Sequence, residues 1–136
     1  MNSRTSSVKW WGVGSALLMI VGGLGPWVVV GAKTLAHGTS NDGALLIGLG
    51  VVAGGLLLWR GGTARWPAIA ALVLGVLGAV IAIADIGSVS GDSFAAAIAD
   101  PGWGLYLDLA ASISLAVAGL VLLVLGRRPA TAASAA

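Results

Sequence analysis

Four long apolar stretches, separated by shorter polar segments, dominate the pattern of this chain. They cover residues 10–31, 43–59, 66–86 and 103–126, and none of them contains Lys or Arg. A helix crosses the hydrocarbon core of a membrane, about 30 Å thick, with roughly 20 apolar residues. The pattern therefore predicts four transmembrane helices. The second is the shortest, at about 25 Å, so we expect it to stand nearly upright.

The segments that join the first helix to the second and the third to the fourth have a turn-forming composition. In the first segment, Pro26 is followed by Trp-Val-Val-Val. A proline there either kinks the helix or ends it and leaves the next residues extended, and we favour the kinked helix. In the second segment, Asp92 or Ser93 can cap a short helix over residues 94–99, which Pro101 ends.

Small residues recur at helical spacing on the predicted spans. Such residues let helix backbones approach closely, which is how helices associate in lipid. The stripe on the third span ends at Asp85. We therefore predict an all-α fold, in which residues 1–126 form a single domain, a four-helix transmembrane bundle. Its predicted helix-packing residues are Gly50, Gly54, Ala71, Gly75, Gly78 and Ala82.

The composition agrees with a membrane setting and excludes several classes of site. Of the 136 residues, 58% are hydrophobic and 9% are charged, whereas soluble chains carry roughly 25% charged residues. The lipid bilayer is therefore the expected partner of the apolar surface. The chain has no Cys, no Glu and a single His, which leaves no zinc site of the usual kind. We expect no metal, no cofactor and no enzymatic activity, and the dispersed basic residues argue against nucleic acid.

The charged and aromatic residues predict the orientation of the bundle. Lys and Arg near the ends of spans stay in the cytoplasm. With the N terminus inside, Lys33 is the one external residue among the 7 Lys and Arg residues. Both termini are therefore predicted to be cytoplasmic in a bacterial inner (plasma) membrane, with residues 127–136 as a disordered tail. Aromatic rings favour the headgroup level. The residues expected at the two membrane interfaces are Trp10, Trp11, Trp27, Trp59, Trp66, Trp103 and Tyr106.

Asp85 and Asp108 are the acids inside the predicted spans, and each lies on an inward-facing stripe within a turn or two of the outer surface. Three hypotheses follow. The two acids can bond to indoles, hydroxyls, loop amides or Lys33 and so hold the external loops on the bundle. They can form a site for a small ligand, a cation or a proton, with Lys33 and His37 as further candidates. They can also contact a partner protein.

Four short motifs form a recognisable pattern: GPWVVV at 25–30, TSNDG at 39–43, ADIGSV at 84–89 and GWGLYL at 102–107. With this pattern the chain resembles a broad group of small four-span membrane proteins of actinobacteria, whose function is uncharacterised. The match extends over residues 10–126. The resemblance implies a four-helix architecture and a location in the cell envelope, and it brings no activity, ligand or catalytic residue.

The sequence thus predicts a non-enzymatic structural or interaction component of the cell envelope. We expect it to associate with copies of itself or with another membrane protein. The alternative is a protein that binds or transports a small solute, a cation or a proton. Its site would then lie at the outer rim of the bundle and include Asp85 and Asp108.

Overall fold

Four α-helices make up most of the fold in a computed structural model that describes residues 3–38, 42–60, 65–89 and 100–126. The helices are α1 (Ser3–Leu24), α2 (Gly43–Arg60), α3 (Trp66–Val89) and α4 (Trp103–Gly126). Each is long and apolar enough to cross a membrane. The prediction of a bundle of four such helices is confirmed. The predicted short helix at 94–99 and the predicted tail at 127–136 lie outside the described residues.

The helices run alternately up and down. The last turns of α1 lie against the first turn of α2, where a Cβ atom built on Gly23 would be 2.8 Å from the Gly43 carbonyl oxygen. The last turns of α4 likewise meet the first turn of α3, where a Cβ on Gly119 would be 2.7 Å from the Ala68 carbonyl oxygen. The start of α1, the end of α2, the start of α3 and the end of α4 therefore share one end of the bundle.

Small residues lie wherever the helices approach most closely. Gly75 packs on the α4 backbone beside Ala116, and Gly50 packs on the α1 backbone at Ala16. Gly54 also faces Ala16, and Gly78 faces the hydroxyl of Ser112. A helix pair with glycine in the contact brings two backbones within van der Waals distance, which supplies the packing energy that lipid does not.

The remaining small residues of the predicted stripe are also inside the bundle. Ala71 and Ala82 of α3 are both 0% exposed. The outer faces of the helices carry large apolar side chains instead, among them Leu17, Val80 and Val124. Because such side chains gain nothing from contact with water, this distribution suits a lipid environment.

The first helix ends earlier than the sequence pattern predicts, and the kink expected at Pro26 is absent. α1 stops at Leu24 and the chain continues as an extended strand. Proline has no N–H to continue the helix, the residue before it disfavours the helical conformation, and the following valines favour a strand. The strands are β1 (Pro26–Val30), β2 (Lys33–His37) and β3 (Asp100–Pro101).

These strands form a small antiparallel sheet in the order β2-β1-β3. A two-residue turn joins β1 to β2, and Gly31 in this turn has φ of 59°, a left-handed value that favours glycine. β3 pairs with Val28 and Val29 of the central strand. The sheet follows α1 directly and precedes α4 directly, so it lies over the end of the bundle opposite to the start of α1.

Trp27 connects the sheet to the bundle. Its side chain is 1% exposed, and its Nε1 donates a hydrogen bond of 3.1 Å to the carbonyl oxygen of Gly22. In a continuing helix the N–H of residue 26 would bond to that oxygen, but Pro26 has none. The indole N–H therefore completes the end of α1, together with the Gly25 N–H. The assignment of Trp27 to an interfacial aromatic belt is wrong, because its ring is in the core.

Candidate functional site

The charged residues are segregated along the axis of the bundle. Where α1 and α3 begin and α2 ends, the described residues are basic. We call this the basic end, defined by Arg4, Lys9, Arg60 and Arg65. The opposite end carries the sheet and the described acids. We call it the acidic end, defined by Asp42, Asp85, Asp100 and Asp108. The cation and the histidine of β2, Lys33 and His37, also lie at the acidic end and are exposed.

Asp108 is the most deeply buried charged group of the described residues. It lies in the second turn of α4 and is 0% exposed. Its carboxylate packs against Gly22 of α1, where a built Cβ atom would lie 2.8 Å from both Cγ and Oδ1 of Asp108. Neither carboxylate oxygen has a hydrogen-bond partner among the described residues. Asp108 therefore forms neither a hydrogen bond nor an ion pair with Lys33 or His37.

Ser112 lies one turn deeper on the same face of α4. It too is 0% exposed, and its hydroxyl has no hydrogen-bond partner within the described ranges. A Cβ atom built on Gly78 of α3 would be 2.6 Å from the Ser112 hydroxyl, 3.0 Å from Met19 of α1 and 3.2 Å from Leu46 of α2. Ser112 thus lies where all four helices meet. With Asp108 it forms a polar pair on the inward face of α4.

Asp85 occupies a different part of the acidic end. In the antiparallel pair α3–α4, Gly75 lies beside Ala116. Ten residues further along α3, Asp85 is consequently level with the first turn of α4, about half a turn outside Asp108. It is half-buried, and the charge of Asp42 acts on it. Asp42 was not a predicted site residue.

The chemistry available to the polar pair follows from what surrounds it. A buried carboxylate without a partner is costly, so such a group holds a proton or meets a cation. Ser112 adds one donor and an acceptor on the same face. Glycine and aliphatic residues fill the described surroundings, and no group of three His, Cys, Asp or Glu residues lies together in the part of the chain that the structure describes.

A second polar contact joins α1 to α4, and the sequence pattern did not predict it. The Trp11 Nε1 donates a hydrogen bond of 2.7 Å to the Ser114 hydroxyl. The hydroxyls of Ser15 and Ser114 are 2.8 Å apart, and Ser15 also bonds to the Trp11 carbonyl oxygen. Serine in an apolar span was the available signal, because its hydroxyl needs a partner on a neighbouring helix. Trp11 is thus 41% exposed with its polar atom turned inward.

The other predicted interfacial aromatic residues are all exposed. These are Trp10, Trp59, Trp66, Trp103 and Tyr106. At the basic end, the rings of Trp59 and Trp66 meet edge to face with centroids 6.2 Å apart. The guanidinium of Arg60 lies 5.3 Å from the centroid of the Trp59 ring. Indoles beside cations at one level of a bundle are typical of the membrane–water interface.

Comparisons with known proteins identify no relative of this chain. No protein-family model, no curated protein and no solved structure matches the chain. The fold itself defines the class, a helical bundle whose four helices are suited to a multi-pass membrane protein.

Proposed function

We propose that the protein is a non-enzymatic component of a bacterial plasma membrane that acts by associating with other copies of itself. Both termini lie in the cytoplasm in this proposal. The basic end then faces inward and the sheet faces outward, in agreement with the retention of Lys and Arg on the cytoplasmic side. The resemblance to small four-span proteins of actinobacteria supports the same setting.

An unused packing seam on α2 carries the proposal. Ala44, Gly48, Val51, Gly55 and Leu58 are spaced by 4, 3, 4 and 3 residues, and all five are exposed. This is the spacing of a left-handed helix pair. The same helix uses an equivalent stripe, displaced by one residue, to pack inside its own bundle. α2 therefore has one seam that is occupied within the chain and one that is open.

The open seam of α2 has a shape that can pack against the same seam of a second copy. No atom lies within 4 Å of a Cβ built on Gly48 or Gly55, so both positions are depressions. Val51 and Leu58 are 56% and 51% exposed and project from the same face. A groove of about 250 Å³ between α1 and α2 continues the seam. Two copies in the same membrane orientation meet about a two-fold axis along the membrane normal, so Gly48 and Gly55 of one copy lie level with the same residues of the other and let the two α2 helices approach closely.

Disulfide cross-linking in the membrane tests the association. The chain has no cysteine, so a Gly55→Cys variant reports one contact. We expect it to form a disulfide-linked dimer under mild oxidation in native membranes, because glycine contacts bring helix backbones within disulfide range. Val76→Cys, exposed on α3, is the matched control and should stay monomeric. Equal cross-linking of the two variants, or none from Gly55→Cys, would contradict the proposal.

A second candidate function rests on the polar pair. Asp108 and Ser112 are both fully buried with no partner among the described residues, and ionisable groups inside membrane bundles are usually functional. In this proposal the pair binds a proton or a small cation. Asp85 lies in a different part of the acidic end, and Lys33 and His37 form no bond with Asp108.

An Asp108→Asn variant separates the two candidates. Asparagine keeps the shape of the side chain and removes its capacity to exchange a proton. If the pair is a proton site, proteoliposomes with the variant will lose a pH-dependent infrared carboxyl signal while the Gly55→Cys cross-link is retained. If the carboxyl signal and all pH responses survive the substitution, the second candidate is wrong.

A further inference from the structure

A cavity at the basic end lies between the first turns of α1 and the last turns of α4. It has a volume of about 370 Å³ and is lined by Ser3, Arg4, Ser7, Val8, Val121 and Leu125. This size is within the range of ligand-binding pockets, roughly 300–1,000 Å³, but the cavity is shallow and largely open to its surroundings. Its polar residues all come from α1, and its wall on α4 is apolar. The cavity therefore has two chemically different sides.

The polar side of the cavity suits an anion. Arg4 is exposed and forms no hydrogen bond or ion pair with any described residue. The described acids are all at the acidic end, so no described acid neutralises the guanidinium. The Ser3 hydroxyl lies within one turn of it and can donate to an anion, whereas the Ser7 hydroxyl already donates its one hydrogen to the Ser3 carbonyl oxygen. A guanidinium with a neighbouring hydroxyl is well matched to phosphate.

The apolar side of the cavity suits a hydrocarbon chain. Val8 and Val121 lie deeper than Arg4 along the bundle axis, and Leu125 lies level with Arg4 on α4. The two helices that line the cavity, α1 and α4, are both apolar enough to cross a membrane and so to face lipid. An occupant that fills both sides has an anionic head and an aliphatic tail.

The depth of the cavity agrees with the level of the lipid headgroups. Gly12 of α1 faces Leu57 of α2, so Arg60 is level with Lys9. The indoles of Trp59 and Trp66 lie at this level and mark an interface. Arg4 lies one to two turns further from the bundle centre. A phosphate bound by Arg4 would thus lie in the headgroup layer.

We propose that this cavity binds an anionic phospholipid of the leaflet at the basic end. The phosphate contacts Arg4 and the Ser3 hydroxyl, and one acyl chain lies along Val8, Val121 and Leu125. This site differs from the open seam of α2 and from the polar pair. It does not depend on the self-association proposed above.

Retention of lipid by the full chain tests the site. The protein is placed in nanodiscs that contain phosphatidylglycerol and phosphatidylcholine, released into the gas phase, and the bound lipids are counted by mass spectrometry. We expect retention of phosphatidylglycerol over phosphatidylcholine. The Arg4→Gln variant should lose this preference by about ten-fold, because it removes a charge-assisted hydrogen bond. Arg65→Gln changes the same charge outside the cavity and should retain the preference.

Three outcomes would overturn the proposal. The first is equal loss in Arg4→Gln and Arg65→Gln, which would mean that only the overall surface charge attracts the lipid. The second is protection against unfolding by inorganic phosphate that equals protection by phosphatidylglycerol, since a free anion would then be the ligand. The third is unchanged retention in Val121→Phe, whose larger ring fills the apolar side of the cavity. All three substituted residues, Arg4, Arg65 and Val121, are at least partly exposed, so we expect the variants to fold.

Discussion

Replacing Gly75 by alanine places a methyl group in the contact between α3 and α4. The new Cβ would lie 2.5 Å from the Ala116 nitrogen, 2.7 Å from the Ser112 carbonyl oxygen and 2.8 Å from the Ala116 Cα. All three are backbone atoms of α4, so no change of side-chain rotamer can relieve the overlap. The two helices must move apart, and we expect the bundle to be destabilised.

The size of the effect follows from these distances. Ordinary van der Waals contact begins near 3.4 Å, so α3 and α4 must separate by about 0.9 Å at this point. A gap of 0.5–1 Å forfeits about a quarter to a half of the dispersion energy of each contact. Overpacked positions cost about 1–3 kcal/mol. The higher helix propensity of alanine offsets up to about 1 kcal/mol of this loss of stability.

A matched variant isolates the packing contribution. Gly14 lies inside α1, and no atom lies within 4 Å of a Cβ built on it. Gly14→Ala therefore adds the same methyl group and the same helix propensity without an overlap. Unfolding is followed by tryptophan fluorescence as the fraction of sodium dodecyl sulfate in mixed micelles is raised. We expect Gly75→Ala to be less stable than Gly14→Ala by about 1–3 kcal/mol.

The reasoning fails if the two variants have the same stability within about 0.5 kcal/mol, the range of ordinary surface substitutions. That result would mean that α3 and α4 do not approach through Gly75. The helix order of the bundle, which rests on contacts of this kind, would then be wrong as well.

Three further predictions concern the contacts at the sheet and between α1 and α4. Trp27→Phe keeps an aromatic ring in the core but removes the donor to Gly22, so it should lower the free energy of unfolding by about 1 kcal/mol. Amide hydrogen exchange in β1 should become faster, and equal or slower exchange would contradict this prediction. Gly31→Ala forces a left-handed conformation on alanine, which should lower the free energy of unfolding by about 1–2 kcal/mol in the same micelles. Unchanged stability would argue against the turn between β1 and β2. Ser114→Ala removes the acceptor of the Trp11 indole, and it should destabilise the bundle by about 0.6 kcal/mol, the average for such bonds in membranes. A blue shift of Trp11 fluorescence, read in a variant with the other tryptophans replaced, would accompany the loss, and an unchanged spectrum would argue against the bond.

The sequence by itself was sufficient to locate four helices, and two of them very closely. The predicted spans 43–59 and 103–126 compare with Gly43–Arg60 and Trp103–Gly126 in the structure. Tryptophan, arginine and turn residues bracket these apolar runs, so hydropathy and local signals agree on where each helix ends. The helical spacing also predicted that Asp108 and the small residues of α3 face the interior, because residues three and four apart share a face.

Only the tertiary structure decided how the first helix ends. Hydropathy is equally high for an apolar strand and an apolar helix, so the segment after Pro26 was ambiguous. Whether this segment becomes a strand or a helix depends on its pairing with Asp100 and Pro101, about 70 residues later in the chain, and on the hydrogen bond from Trp27 to Gly22. No local pattern carries information about partners at that distance.

The candidate sites divide in the same way. The period of α4 predicts that Asp108 faces the interior, but the close approach of Gly22 and the lack of a described partner emerge only from packing. The influence of the Asp42 charge on Asp85 likewise depends on which helices lie next to each other, and so does the cavity beside Arg4. Hydropathy and periodicity describe one helix at a time. A site is formed by residues from several helices, and three-dimensional packing decides which of these residues meet.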